Sequence, residues 1–187
     1  LKAGSEYGRL RSALGSARPE GELREEVLRA WAELGTGPVS VRSSALAEDA
    51  PGRSFAGQFD SFLQIQGEEA LLSAISRCWA SAYGERTLAY CEQQGVDPAS
   101  LSMAVVVQRM VEGPVSGVLF TCDPARPEAD DALVSAAWGA GEGVVSGRAD
   151  ADTYRLTEDG EVEVEVADKR SAVLLQAEGG SKESDVP

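Results

Sequence analysis

A change of period near Pro98 constrains this 187-residue chain more than any other feature. Before it, most apolar residues recur at helical spacing; beyond it, they run together or alternate as in strands. Residues 21–34, GELREEVLRAWAEL, place Leu23, Val27, Trp31 and Leu34 on one helical face, and Gly35 supplies a stop. The longest helical signal is GEEALLSAISRCWASAYGERTLAYCEQQG, in which Leu71, Ile75, Trp79, Ala82 and Ala89 repeat at near-helical spacing. Glu68 and Glu69 suit the positive end of its dipole, and Gly95 ends it. Pro38 to Arg42 and residues 60–65 read as short strands between the two helical segments.

After Pro98, MAVVVQRM is a continuous apolar run, which predicts a central strand buried on both faces. VSGVLFTC, DALVSAAWG, DTYRLT and EVEVEV follow, and the last alternates like a strand with one wet face. This order predicts an α+β fold with a mostly antiparallel sheet, not regular β-α-β alternation. Residues 176–187, QAEGGSKESDVP, read as a mobile end. The tryptophans at 31, 79 and 138 fall in apolar patterns and read as core.

Net charge is −14, from 17 basic and 31 acidic residues, which argues against nucleic acid or an anionic membrane as partner. A local pocket for a small anion is still compatible with it. No apolar run approaches the ~20 residues of a membrane span, and no signal-peptide core precedes the first helix. Cys78, Cys91 and Cys122 are widely spaced, form no metal signature and read as core or near-surface thiols. A cytoplasmic location is the expectation. The chain contains no histidine, which excludes a Ser-His-Asp triad, a His-ligated zinc and a phosphohistidine within it.

The segment VRSSALAEDAPGRSFAGQFDSF, from Val41 to Phe62, is far longer than a hairpin connection needs. Arg42 stands where an apolar strand would prefer Val or Leu, and its guanidinium is a planar fork of donors suited to phosphate. Ser43 and Ser44 add hydroxyls, and Gly57 allows close approach of backbone N–H groups to an anion. The plainer alternative is that Arg42 pairs with Glu48 or Asp49 and pins a surface loop. Gln108, followed by Arg109 and Met110, ends an apolar strand, and its amide offers donor and acceptor to a base edge. An ordinary strand end is the alternative there. WGAGEGVVSGR, with Gly139, Gly141, Gly143 and Gly147, has neither dinucleotide nor P-loop spacing, and tight packing without a ligand suffices for it. Glu48, Asp49, Asp123, Glu142 and Asp152 are acids that could meet Mg²⁺, although no spacing demands it and solvation of the surface is their ordinary role.

Taken in order, VRSSALAEDAPGRSFAGQFDSFL, AISRCWASAYGERTLAY, MAVVVQRMVEGPVSGVLFTCDP and AAWGAGEGVVSGRADADTY resemble the nucleotide-binding domain of the phosphoenolpyruvate synthase family. That family includes pyruvate, water dikinase, the rifampicin phosphotransferases and, more distantly, pyruvate, phosphate dikinase. The resemblance covers roughly residues 38–157 and makes the chain, 1–187, a partial nucleotide-binding domain. It implies an ATP-grasp-like fold, a mixed sheet flanked by helices. It also implies a larger enzyme in which phosphate passes from ATP to a histidine on a separate swivelling domain, then to pyruvate or an antibiotic hydroxyl.

By the same resemblance Arg42 contacts phosphate, with Ser44 beside it. Gly57 and Ser61 belong to the loop covering the ATP phosphates, Gln108 lies near the adenine, and Met110 and Val111 form the adjoining hinge. Phe59, Ser135 and Ala151 depart from the usual Gln, Glu and Pro. The family's Gly-Gly-Lys segment and its Asp-Ile-Glu and Leu-Gln-x-Arg segments do not occur here, so the lysine and the Mg²⁺ ligands are expected outside this chain. ATP and Mg²⁺ are the implied ligands, and the fragment alone is expected to be inactive. A binding or scaffold module that keeps the fold without the chemistry is the second reading.

Overall fold

The computed structural model describes residues 2–35, 37–45, 55 and 57–186, with side chains from Glu6 onward. The chain divides into two compact units, residues 1–110 and 111–187.

The first unit starts with two helices, α1 (Lys2–Ser16) and α2 (Gly21–Leu34). The second matches the apolar period: Val27, Trp31 and Leu34 pack on the main core, while Leu23 is exposed. Gly35, at φ 91°, ends it in a conformation that favours glycine. Strands β1 (Val39–Ala45), β2 (Phe62–Ile65) and β3 (Met103–Arg109) form an antiparallel sheet in the order β2-β1-β3. Helix α3 (Glu68–Ser81) covers one face of it, burying Val39, Val41, Leu71, Ala74, Ile75 and Cys78 together. A fully buried Val or Leu contributes about 1.5–3 kcal/mol, so this cluster holds the sheet against its helix.

Two expectations are corrected here. The long helical signal is not one helix: α3 stops at Ser81 and α4 (Glu85–Gln94) starts after a turn. The Thr87 hydroxyl lies 3.0 Å from the Ser81 carbonyl and 3.1 Å from that of Gln58. The break therefore ties the helical layer to the segment before β2. Nor is β3 central. Among the described residues it pairs only with β1 in this sheet, its residues alternate between half-buried and exposed, and Val106 is 46% exposed. The apolar run reflects β-propensity and one covered face, not two.

In the second unit β4 (Val115–Phe120), β5 (Ala132–Trp138), β6 (Asp152–Leu156) and β7 (Val162–Glu165) form an antiparallel sheet in that order. A short helix, α5 (Glu142–Val145), follows β5. Trp138 is 44% exposed, unlike the core position its pattern predicts, whereas Trp31 and Trp79 pack against the main core. Where composition predicts a loose end, β8 (Ser171–Leu175) and β9 (Ser181–Asp185) pair as an antiparallel hairpin. Its polar second strand is paired through backbone groups, which composition does not reveal. All three sheets are antiparallel throughout, and the architecture is α+β.

Candidate nucleotide-binding face

Antiparallel register decides which side chains of the first sheet share a face. Ser40 lies opposite Gln108, Arg42 opposite Val106, and Ser44 opposite Ala104. These residues alternate with Val39, Val41 and Ser43, whose side α3 covers, so they belong to the other face. Arg42, Ser44, Ala104 and Gln108 are exposed there. The buried Ser40 hydroxyl donates to the Gln108 backbone carbonyl at 3.4 Å, leaving the Gln108 side-chain amide free of that bond. Among the described residues no carboxylate pairs with Arg42. Glu48 and Asp49, the alternative partners, lie outside the described residues.

Gly57 occupies a turn at φ 71°, with the Gln58 N–H donating to the Phe55 carbonyl at 2.9 Å. Among the described residues a side chain at Gly57 would meet nothing within 4 Å, so the residue answers a backbone requirement. Phe55 and Phe59 stack at 5.7 Å between ring centroids, and Tyr90 of α4 meets Phe55 edge-on at 4.7 Å. Sequence reasoning missed these anchors. Phe59, seen there only as a departure from the family pattern, is 7% exposed and fastens the turn to the helical layer. Ser61 is exposed just before β2, and the Asp60 carboxylate beside it lies 3.4 Å from Arg86. The rest of the loop, residues 46–54 and 56, is outside the described residues.

Met110 closes the β1–β3 pair by donating its N–H to the Pro38 carbonyl at 2.9 Å. The division between the two units falls immediately after it, and Val111 is 88% exposed. Arg42, Ser44 and Gln108 thus share one sheet face, Gly57 and Ser61 lie in the segment leading into β2, and Val111 opens the second unit.

Of the acids that could have met Mg²⁺, Glu48 and Asp49 lie outside the described residues, and Asp123, Glu142 and Asp152 are used otherwise. Asp123 is buried, accepts the Ala125 N–H at 2.9 Å and pairs with Arg155 at 3.2 Å. The Ala125 bond first, and Arg155 after it, hold its carboxyl below the ordinary range. Asp152 accepts from Lys169 and from the Ala167 N–H, with the same consequence. Glu142 pairs with Arg148 at 2.7 Å and accepts from Ser181. Among the described residues no group of acids is arranged to hold a metal ion. The donor set of the described residues therefore does not fit Mg²⁺.

The glycine-rich stretch packs tightly. Gly139, at φ 82°, lies against the Val173 carbonyl, where an added Cβ would collide with it. A Cβ at Gly143 would come within 3.1 Å of both Val173 and Ala149.

A helix-backed antiparallel sheet whose other face carries Arg42, Ser44 and Gln108 makes this an α+β domain. More narrowly, the chain belongs to the pyruvate phosphate dikinase AMP/ATP-binding domain family, whose profile matches residues 2–187. It is similar to a rifampicin phosphotransferase of a Streptomyces species, 42% identical over 95% of this chain and 21% of that protein. It is also similar to a probable phosphoenolpyruvate synthase of Methanocaldococcus jannaschii, 40% identical over 80% of this chain and 13% of that protein. A phosphoenolpyruvate synthase of Pyrococcus furiosus is 36% identical over 91% of this chain and 22% of its own length. The chain therefore spans about a fifth or less of the length of these relatives.

Proposed function

We propose that the bare face of the first sheet receives ATP, and that the chain is the ATP-binding part of a phosphotransferase. The observation that carries this reading is the common face of Arg42, Ser44 and Gln108, with the arginine unpaired among the described residues. Arg42 would fork two phosphate oxygens. Ser44 and Ser61 would add hydroxyl donors, and the backbone of the Gly57 turn would come close enough to donate as well. Gln108 would meet the adenine edge, with Met110 and Val111 as the adjoining hinge. Phosphoryl transfer depends chiefly on positioning and charge neutralisation, and these residues would supply the positioning. Because the donor set of the described residues does not fit Mg²⁺, its ligands would come from other segments of the complete protein.

In that complete protein phosphate would pass from ATP to a histidine on a separate domain, then to an acceptor such as pyruvate or an antibiotic hydroxyl. This chain contains no histidine, so it cannot carry the phosphohistidine itself. An ATP-grasp-like clasp is the arrangement the family resemblance favours. Calorimetry of ATP binding to the complete natural protein tests the reading. Arg42→Ala should weaken binding at least ~30-fold, as expected for loss of a charge-assisted contact worth ~2 kcal/mol or more. Equal affinity of wild type and variant would sink the role of Arg42. No binding by either would favour a scaffold module.

A further inference from the structure

Among the described residues of the first unit, a cavity of ≈ 550 Å³ opens between α1 and the far end of α3. Arg11, Ser12 and Ser16 line it from one face of α1, Asp60 from the segment before β2, Phe62 from β2 and Arg77 from α3. Gly15 and Ala80 meet at its edge, where a Cβ on the glycine would stand 3.6 Å from that of the alanine. Their small size leaves the space open.

Charge sets this cavity apart. The chain carries −14, yet here two guanidinium groups face one carboxylate. That carboxylate, Asp60, lies 3.4 Å from Arg86. Neither Arg11 nor Arg77 has a carboxylate partner among the described residues, and both are exposed to the cavity side. The Arg77 guanidinium carbon sits 4.3 Å from the centroid of the Phe62 ring. Stacking holds the plane of the guanidinium and leaves its in-plane N–H donors for another acceptor. Phe62 pairs with Val41, so its side chain lies on the helix-covered side of the sheet and not on the Arg42 side.

We propose that this cavity binds a small dianion, a phosphate monoester or a dicarboxylate, held by Arg11 and Arg77 with Ser12 and Ser16 as further donors. The site does not depend on the nucleotide reading, and the test separates the two. Inorganic phosphate and malonate are titrated into the complete natural protein by calorimetry, at constant ionic strength set with chloride so that general screening is held fixed. Wild type should bind at least one probe. The double variant Arg11→Gln/Arg77→Gln should bind it at least tenfold more weakly, whereas Arg42→Ala, which removes only the phosphate contact proposed for the other sheet face, should keep the site that the double variant loses. Ser12→Leu fills the cavity without changing charge, should weaken binding likewise, and decides the matter if the double variant misfolds. Preference for phosphate assigns a phosphate monoester, and preference for malonate assigns a dicarboxylate. The proposal is overturned if wild type binds neither probe, if both cavity variants bind as wild type does, or if Arg42→Ala alone abolishes binding.

Discussion

Two arginines, each on a strand of an antiparallel sheet, have opposite surroundings. Arg155 of β6 lies within ion-pair distance of Asp123, Asp131 and Glu163. Arg42 of β1 has no such partner among the described residues. The glycines repeat the contrast: Gly139 is closed in by Val173, whereas a Cβ at Gly57 would meet no described residue within 4 Å. In the second unit polar and small residues are used to hold one strand to the next. In the first, Thr87 and Ser40 serve the same end, but Arg42 has no such use among the described residues. A residue type therefore says little about role until its partners are counted, and the contrast can be attacked from either side.

The largest effect should come from closing the tightest contact. Gly139→Ala puts a methyl group against the Val173 carbonyl at a backbone angle that alanine rarely adopts. Strain and overpacking together should cost about 2–5 kcal/mol, read as a lower midpoint in urea unfolding. An unchanged midpoint would mean that the β5–β8 contact is not formed as described.

Next in size is the buried acid. Asp123→Asn keeps the shape and removes the charge that faces Arg155 and Arg126. Tm should drop by several degrees at neutral pH, on the order of 5 °C. The folded carboxyl is held below its ordinary range, so its contribution is fully present above the unfolded value of ~4 and is lost as pH falls through the lower folded value. The gap in Tm between wild type and variant should therefore narrow as the pH is taken below ~4. A gap that stays constant with pH would remove the carboxylate from the account.

Gly57→Ala should do less. No described residue lies where its Cβ would go, so the positive φ alone is penalised, at about 1 kcal/mol or a little more. Matching losses from Gly57→Ala and Gly139→Ala in the same denaturation assay would erase the difference drawn between the two glycines.

How much of this was legible in the sequence depends on how local the cause is. Helix α2 was readable from Val27, Trp31 and Leu34 and from its glycine stop, because spacing and cap lie within one segment. The break before α4 was not, because Thr87 reaches Gln58, far back along the chain. Strand β3 was readable as a strand but not as the neighbour of β1 alone, since an apolar run does not reveal which faces are covered. The β8–β9 hairpin was hidden because SKESD has no apolar side to signal it. For the candidate site, Arg42 and Gln108 could each be picked out as polar residues ending or interrupting apolar strands. Their common face could not, because it rests on the register that sets Ser40 against Gln108 and Arg42 against Val106.

The smallest effect on stability is also the sharpest test of the comparison. Arg42 is exposed, lies opposite the half-exposed Val106 and has no described ion pair. Truncation at such a surface position usually changes stability by about 0.5 kcal/mol or less. Arg42→Ala should therefore leave the unfolding midpoint close to that of wild type while weakening ATP binding. Arg155→Met, which removes a guanidinium facing three acids, should show a clear loss of stability. Unfolding midpoints for the two variants measured side by side decide the point. If Arg42→Ala destabilised the chain as much as Arg155→Met, Arg42 would be a structural cation whose partner lies in the loop between Ala45 and Phe55, and the face it stands on would lose its claim to ATP.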